Sequence, residues 1–396
     1  MTTSDGFRFD GKAAAILSIG LITILAGMAV SPALAGMKTA FPELDDSTIQ
    51  LVLTVPALCV VPGCLICDAL VSRFGSRTTL IMGLVLYLVG GVSAGVMPDF
   101  TLMILMRAVL GIGIGILTPL AQILISENYT GDVRDRLVGI PASASFLTGF
   151  LSAFIVGNIA AIDWRLTFLV YLVGVPELLL VLRYLPDRER PADRTPEGPW
   201  DFRNRGAWTL VLTMLFVNIA FYTFSTSIAL FMKSEGIGDD ATSGYVVSLF
   251  MLAGFISGLL SARMRSRIGR LTVPVALGLM AFGFGIMSVS HGIPELMVAG
   301  ILIGWGDLMV YSDLFARIRL CTGGGNDERT WISVMTAAMF GGQAISATAV
   351  SAAAWVLGIA GYRETFLMLA VALVIGLVSA SVPCLLRRDD KFSIRG

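Results

Sequence analysis

Two charged residues stand where a charge is hardest to keep. Arg107 lies inside the apolar run FTLMILMRAVLGIGIGIL, and Asp307 lies inside GILIGWGDLMVY. An ionised side chain in hydrocarbon costs several kcal/mol on insertion scales, so it is paired, or it faces a cavity and handles a substrate or an ion. A guanidinium favours an anion, because its rigid fork of donors matches a carboxylate or phosphate. A carboxylate favours a proton, a cation or an amphipathic neutral solute. Trp305 and Tyr311 flank Asp307, while Asn218 and Tyr222, four residues apart, share one helical face. With Gln343 they supply uncharged hydrogen-bonding groups, fit either to hold a solute or to tie helices together. Glu177 is a third carboxylate in apolar surroundings and reads as structural. Asp313 and Arg317, one turn apart, read as a local pair.

Other chemistries lack their residues. The chain has one histidine, His291, and five cysteines, of which Cys64-x-x-Cys67 has no second pair to complete a metal site. No metal and no cofactor is expected. Gly111-x-Gly-x-Gly115 is not a phosphate cradle, because no Lys-Ser/Thr follows it; small residues at four-residue spacing let helices approach instead. A membrane enzyme would need clustered acids, histidines or cysteines near one face, and none is present, so the chain is not expected to be an enzyme. Its formal net charge is zero, which implies no nucleic acid or other polyanion as partner.

These groups need apolar helices to carry them. The composition is 56% hydrophobic and 14% charged, with a mean hydropathy of +0.82, where a soluble domain is about one quarter charged. A bilayer core takes about 20 apolar residues of helix. Twelve runs qualify, near 13–36, 48–71, 78–97, 100–126, 137–161, 165–185, 207–232, 243–263, 272–290, 294–318, 330–357 and 363–386. The first is read as a retained helix rather than a cleaved signal. Basic residues keep loops in the cytoplasm. With both termini inside, Lys38, Arg165, Lys233 and Arg363 fall outside and Arg107 within a helix, leaving 23 of the 28 in cytoplasmic segments. The charged, proline-bearing stretch 186–206 then reads as a cytoplasmic linker between an N-terminal six-helix bundle, 1–185, and a C-terminal one, 207–396.

Landmarks recur between those halves, as a duplication requires. Asp45-Asp-Ser-Thr48 matches Asp239-Asp-Ala-Thr242, and Arg73-Phe-Gly75 matches Arg267-Ile-Gly269, both 194 residues on. Gly111-x-Gly113 matches Gly304-x-Gly306, and Arg136 with Gly149 matches Arg329 with Gly342, both 193 residues on. Parallel six-helix repeats around a midplane site are an established transporter plan.

With these features the chain resembles the major facilitator superfamily over nearly its whole length. The family signature between helices two and three is Gly-x-Leu-x-Asp-Arg-x-Gly-Arg-Arg. Here Asp68-Ala-Leu70-Val-Ser72-Arg73-Phe-Gly75-Ser76-Arg77 keeps Leu70, Arg73, Gly75 and Arg77, with Asp68 in place of the first glycine and Ser72 in place of the aspartate. The helix-four pattern Arg-x-x-x-Gly-x-Gly is present as Arg107 to Gly113, followed by Pro119 and Glu127. The Gly-Pro-Gly-Gly signature of family antiporters in helix five is absent, which argues against drug/proton antiport.

The resemblance implies an all-α membrane fold of two pseudo-symmetric bundles rocking about a cavity lined by helices one, four, seven and ten. It makes Arg107, Asp307, Asn218, Tyr222, Trp305, Tyr311 and Gln343 candidates for substrate or ion binding. Asp68, Ser72, Arg73, Gly75, Arg77, Glu127, Arg136, Arg267 and Gly269 are then candidates for gating, with Asp68, one turn before Ser72, expected to supply the missing negative charge. The expected activity is proton- or ion-coupled secondary transport of a small organic solute by a monomer in the lipid of the cytoplasmic membrane. The alternatives are a transporter-fold sensor or receptor and, among transporters, drug export against organic-anion uptake.

Overall fold

The structure is a computed structural model that describes residues 18, 19, 30–128, 131–185, 203–322 and 326–386. Of the run expected at 13–36, only its end is described: a 3-10 turn, Ser31–Ala33, leading into α1, Leu34–Ala40. The following helices are α2 (Asp46–Phe74), α3 (Ser76–Ser93), α4 (Phe100–Asn128), α5 (Gly131–Ala160) and α6 (Gly174–Tyr184). Beyond the linker come α7 (Arg205–Ser234), α8 (Asp240–Ile268), α9 (Thr272–Val289), α10 (Ile293–Thr322), α11 (Asn326–Val356) and α12 (Tyr362–Leu386). No strand occurs among the described residues. Nine described stretches are long and apolar enough to cross a membrane. Their outward faces are apolar too: Leu65 is 77% exposed and Ile375 62%, as suits contact with lipid.

Polar residues set the helix ends. Asp45 precedes α2 and takes hydrogen bonds from the Ser47 and Thr48 hydroxyls. Asp239 closes a full capping box before α8: Thr242 N–H donates to its carboxylate at 2.9 Å, and Asp239 N–H donates to the Thr242 hydroxyl at 2.8 Å. These bonds favour the anions and hold both carboxyls below their ordinary range. At the other end of the same helices, Gly75 (φ +83°) and Gly269 (φ +58°) turn the chain into the next helix. Both sit in the left-handed region that a Cβ disfavours, which explains why the duplicated signature keeps glycine there.

One expected helix differs. The run at 165–185 begins as a 3-10 helix, Trp164–Val173, and becomes α-helical only at Gly174. With three residues per turn, Phe168, Tyr171 and Gly174 stack on one side, and all three are buried.

The packing repeats as the sequence does. A Cβ on Gly111 of α4 would lie 2.3 Å from the Pro56 carbonyl oxygen of α2, and one on Gly304 of α10 would lie 2.1 Å from the Phe250 carbonyl oxygen of α8. Residue 250 is 194 beyond residue 56. Likewise Gly113 rests on Gly83 and Tyr87 of α3, and Gly306 on Ala276 and Met280 of α9, each partner displaced by 193. The two segments join through α5 against α8 and α2 against α11. Where α5 crosses α8, Gly157 and Gly244 meet so closely that a Cβ on either would lie under 3 Å from the other's Cα.

Candidate functional site

Arg107 projects from α4 two turns from its start and is fully buried. Its place is prepared by a proline. Pro56, inside α2, has no N–H, so the carbonyl of Val52 one turn earlier lacks its intrahelical donor. Arg107 Nε donates to that oxygen at 2.7 Å, and Nη1 donates to the Tyr171 hydroxyl at 2.5 Å. The guanidinium lies 5.4 Å from the Tyr171 ring centroid and 5.9 Å from that of Phe168, the two rings that the 3-10 turn stacks together. Tyr87 of α3 packs edge-on to Tyr171 at 5.7 Å. From α7, Tyr222 comes within electrostatic reach of Arg107 and donates to the Leu53 carbonyl at 2.9 Å, next along α2 from Val52. Tyr87 and Tyr171 were not among the residues singled out in the sequence; their aromatic type alone carries no positional signal.

Asp307 lies near the middle of α10 and is 7% exposed. Among the described residues no hydrogen bond or ion pair reaches its carboxylate, and Tyr311, one turn on, is within its field. Arg107 and Asp307 form no ion pair here. Asn218 and Gln343 are brought together, the Gln343 amide donating to Asn218 Oδ1 at 3.2 Å, so that they tie α7 to α11. Trp305 offers its carbonyl to Ser257 of α8 at 2.9 Å, and Tyr311 packs 4.7 Å from the Phe315 ring. Phe221 and Phe224 stack on Phe250 as core. Glu177 is buried with a hydrogen bond from Ser18.

The hydrogen bonds that join residues 30–185 to 203–386 gather toward the Asp45 end. Lys233 donates to the Ala35 carbonyl at 2.8 Å and to the Thr39 hydroxyl. Ser31 donates to the Ser225 carbonyl, Gln50 to Ser227 at 3.3 Å, and Tyr362 to the Asp46 carboxylate. Gly36 sits so tightly that a Cβ would lie 2.9 Å from Asp240 Oδ2. The bundle is therefore sealed at this end.

A family model described as Major Facilitator Superfamily matches residues 16–312. The chain belongs to the Major Facilitator Superfamily. Among curated relatives, the multidrug transporter protein MdtP of Bacillus subtilis (strain 168) is 26% identical over 157 residues, covering 39% of this chain but only 28% of MdtP. The uncharacterized MFS-type transporter YwfA of the same organism is 22% identical over 292 residues, 70% of each chain. A crystal structure of a bacterial homologue of the human lysosomal transporter Spinster, inward-facing and occupied, superposes with a TM-score of 0.67 at 16% identity, covering 94% of this chain and 95% of that one. It shares the major facilitator fold.

The superfamily signature residues lie at the opposite end from the seal. The Ser72 hydroxyl, where the signature has a carboxylate, donates to the Ala69 carbonyl of its own helix at 2.9 Å. Arg73 lies over the Phe74 ring, and Arg77 Nη2 donates to the Leu182 carbonyl at 3.0 Å. The side chains of Asp68, Glu127 and Arg136 lie outside the described residues. The C-terminal counterpart of this major facilitator loop has its own charges. Asp313, 1% exposed, pairs with Arg317 Nε at 2.5 Å, as the one-turn spacing indicates, and also with Arg265 Nε at 3.3 Å. Arg317 reaches on to the Gly269 and Arg270 carbonyls, while Arg267 is exposed on α8. The Arg265 contact was missed because it crosses between helices, which spacing along one helix does not reveal.

Proposed function

We propose that this chain is a secondary active transporter that moves a small organic solute across the cytoplasmic membrane by rocking two bundles, 1–185 and 207–396, about a central site. The carrying observation is the juxtaposition of a sealed end with two buried charges, Arg107 and Asp307, deeper in pseudo-equivalent helices. A seal at one end is what an alternating-access carrier needs in one of its two states. The positive-inside pattern makes that end external and the linker 186–206 and both termini cytoplasmic. MdtP is named as a multidrug transporter, which supports an organic solute as cargo.

Asp307 is the coupling group in this reading. A carboxylate with no partner in an apolar wall crosses the closed intermediate at least cost when a proton or cation neutralises it. The test is gradient-driven accumulation and counterflow exchange in proteoliposomes, wild type against Asp307→Asn. Coupling through Asp307 gives an Asn variant that loses accumulation while retaining exchange. An Asn variant that still concentrates solute with the wild-type pH dependence removes Asp307 from the role.

A further inference from the structure

The surroundings of Arg107 hold more donors than acceptors. Its two hydrogen bonds end on a neutral carbonyl and a neutral phenol, so nothing on those bonds offsets its charge. Its remaining terminal nitrogen, Nη2, is buried with no hydrogen-bond partner, and so is the hydroxyl of Tyr87, which lies within the electrostatic reach of the same guanidinium. Among the described residues no carboxylate forms an ion pair with the guanidinium. Residues 11–42, which include the stretch leading into α1, contain neither Asp nor Glu. Glu127 is on α4 itself but about 20 residues further along, roughly 30 Å away at helical rise. Glu177 takes a hydrogen bond from Ser18 while its Oε1 has none, and neither Glu177 nor Asp307 forms an ion pair with Arg107. A buried guanidinium without a counter-charge, with one orphaned nitrogen of its own and an orphaned hydroxyl on Tyr87, whose ring packs on the same Tyr171 that the guanidinium lies over, is costly in a low-dielectric interior. One anion removes that cost.

We infer that Arg107 Nη2 and the Tyr87 hydroxyl form a binding site for one small monoanion, either the carboxylate of the transported solute or an inorganic co-ion such as chloride. Arg107 supplies the charge and one donor, Tyr87 the second. Phe168 and Tyr171 fix the guanidinium plane so that Nη2 keeps its direction, and Pro56 holds Nε by freeing the Val52 carbonyl. This rests on the transporter reading only for what the anion is there to do; the site itself can be tested by binding.

The measurement is thermal unfolding of the purified full chain titrated with sodium chloride, acetate or benzoate, with sodium sulfate holding ionic strength constant. Wild type, Tyr87→Phe and Arg107→Gln are compared under the same salts, so general salt effects cancel. The expected result is a saturable rise in Tm for wild type. Its midpoint should move at least about tenfold higher in Tyr87→Phe, the loss of one hydrogen bond to a charged group, and the rise should vanish in Arg107→Gln. Tyr87→Phe removes only an oxygen, so it keeps the test alive if Arg107→Gln does not fold. Saturation by chloride alone identifies an inorganic co-ion; saturation by acetate or benzoate, with that anion also accumulated in liposomes, identifies the solute. No saturable response in wild type, or an unchanged midpoint in Tyr87→Phe, overturns the inference. Loss of the response with gradient-driven flux intact would leave the transporter reading standing, and the reverse outcome would leave the anion site standing.

Discussion

The helix pair α2–α4 and the pair α8–α10 share one packing solution at the level of Gly111 and Gly304, and they part company one turn earlier. In both, consecutive turns of the second helix rest on backbone of the first: Gly111 on Pro56 and Gly304 on Phe250. One turn earlier, Gly300 approaches the Val246 carbonyl, the counterpart of Val52. The N-terminal pair has Arg107 at that level instead of glycine. The reason lies across the interface. Phe250 has an N–H to give to Val246, whereas Pro56 has none for Val52, so the N-terminal helix needs a donor from outside and Arg107 provides it. Proline and arginine are one device split across two helices, and the duplicated half lacks both parts together. The signature arginine is thus a backbone cap as well as a charge.

The comparison breaks most visibly at its shared rung. Leucine at Gly111 or Gly304 would drive a side chain into a carbonyl, and each change should cost about 3 kcal/mol or more. Thermal unfolding should show the two losses to be of similar size, and a large difference would mean that the pairs are not equivalent. A smaller effect sharpens the difference between them. Arg107→Met should cost about 2 kcal/mol by leaving the Val52 carbonyl without a donor. Pro56→Leu, which restores an N–H, should recover part of that loss, giving a coupling of about 1 kcal/mol in a double-mutant cycle. Strict additivity would dissolve the proposed link.

The smallest expected effect concerns the caps. Asp239→Ala should cost about 1 kcal/mol at neutral pH by removing the capping box. Because both cap carboxyls titrate lower in the folded chain than in the unfolded one, their contribution is present above the unfolded pKa of about 4 and fades as pH falls through the lower folded value. The gap between wild type and Asp239→Ala should therefore close below about pH 4. A gap that persists there would assign the loss to something other than the anion.

Beyond the first run, which lies mostly outside the described residues, helix positions were legible in the sequence to within about six residues, because apolar length and polar caps are local signals. The 194-residue repeat was legible for the same reason, and it anticipated the paired glycine contacts. The run at 165–185 reads as one helix: its first half is equally apolar in either geometry, so apolar length does not distinguish the 3-10 stretch Trp164–Val173 from α-helix. Arg107 and Asp307 both read as buried charges and are buried, but no ion pair joins them among the described residues: Nε and Nη1 of Arg107 go instead to α2 and the 3-10 turn, and Nη2 has no partner. Asn218 with Gln343, open in the sequence between solute and helix contact, meet each other. A partner on another helix has no signature in spacing, and the link from Pro56 through Val52 to Arg107 needs three elements in place before it can be seen.

Ser31 touches Ser225 and Thr39 touches Lys233, and in each pair the two positions are 194 residues apart. A position that meets its own repeat lies on the two-fold axis. In a dimer of two identical six-helix chains the same spot would bring a side chain against its own copy, since such an interface is self-complementary. A lysine there would face a lysine. Fusing the copies into one chain lifts that constraint, because each side of the axis then mutates alone. Lys233 opposite Thr39 is an arrangement that identical subunits could not have built, and it places a cation on the axis of the sealed end with a hydroxyl and the Ala35 carbonyl to receive it.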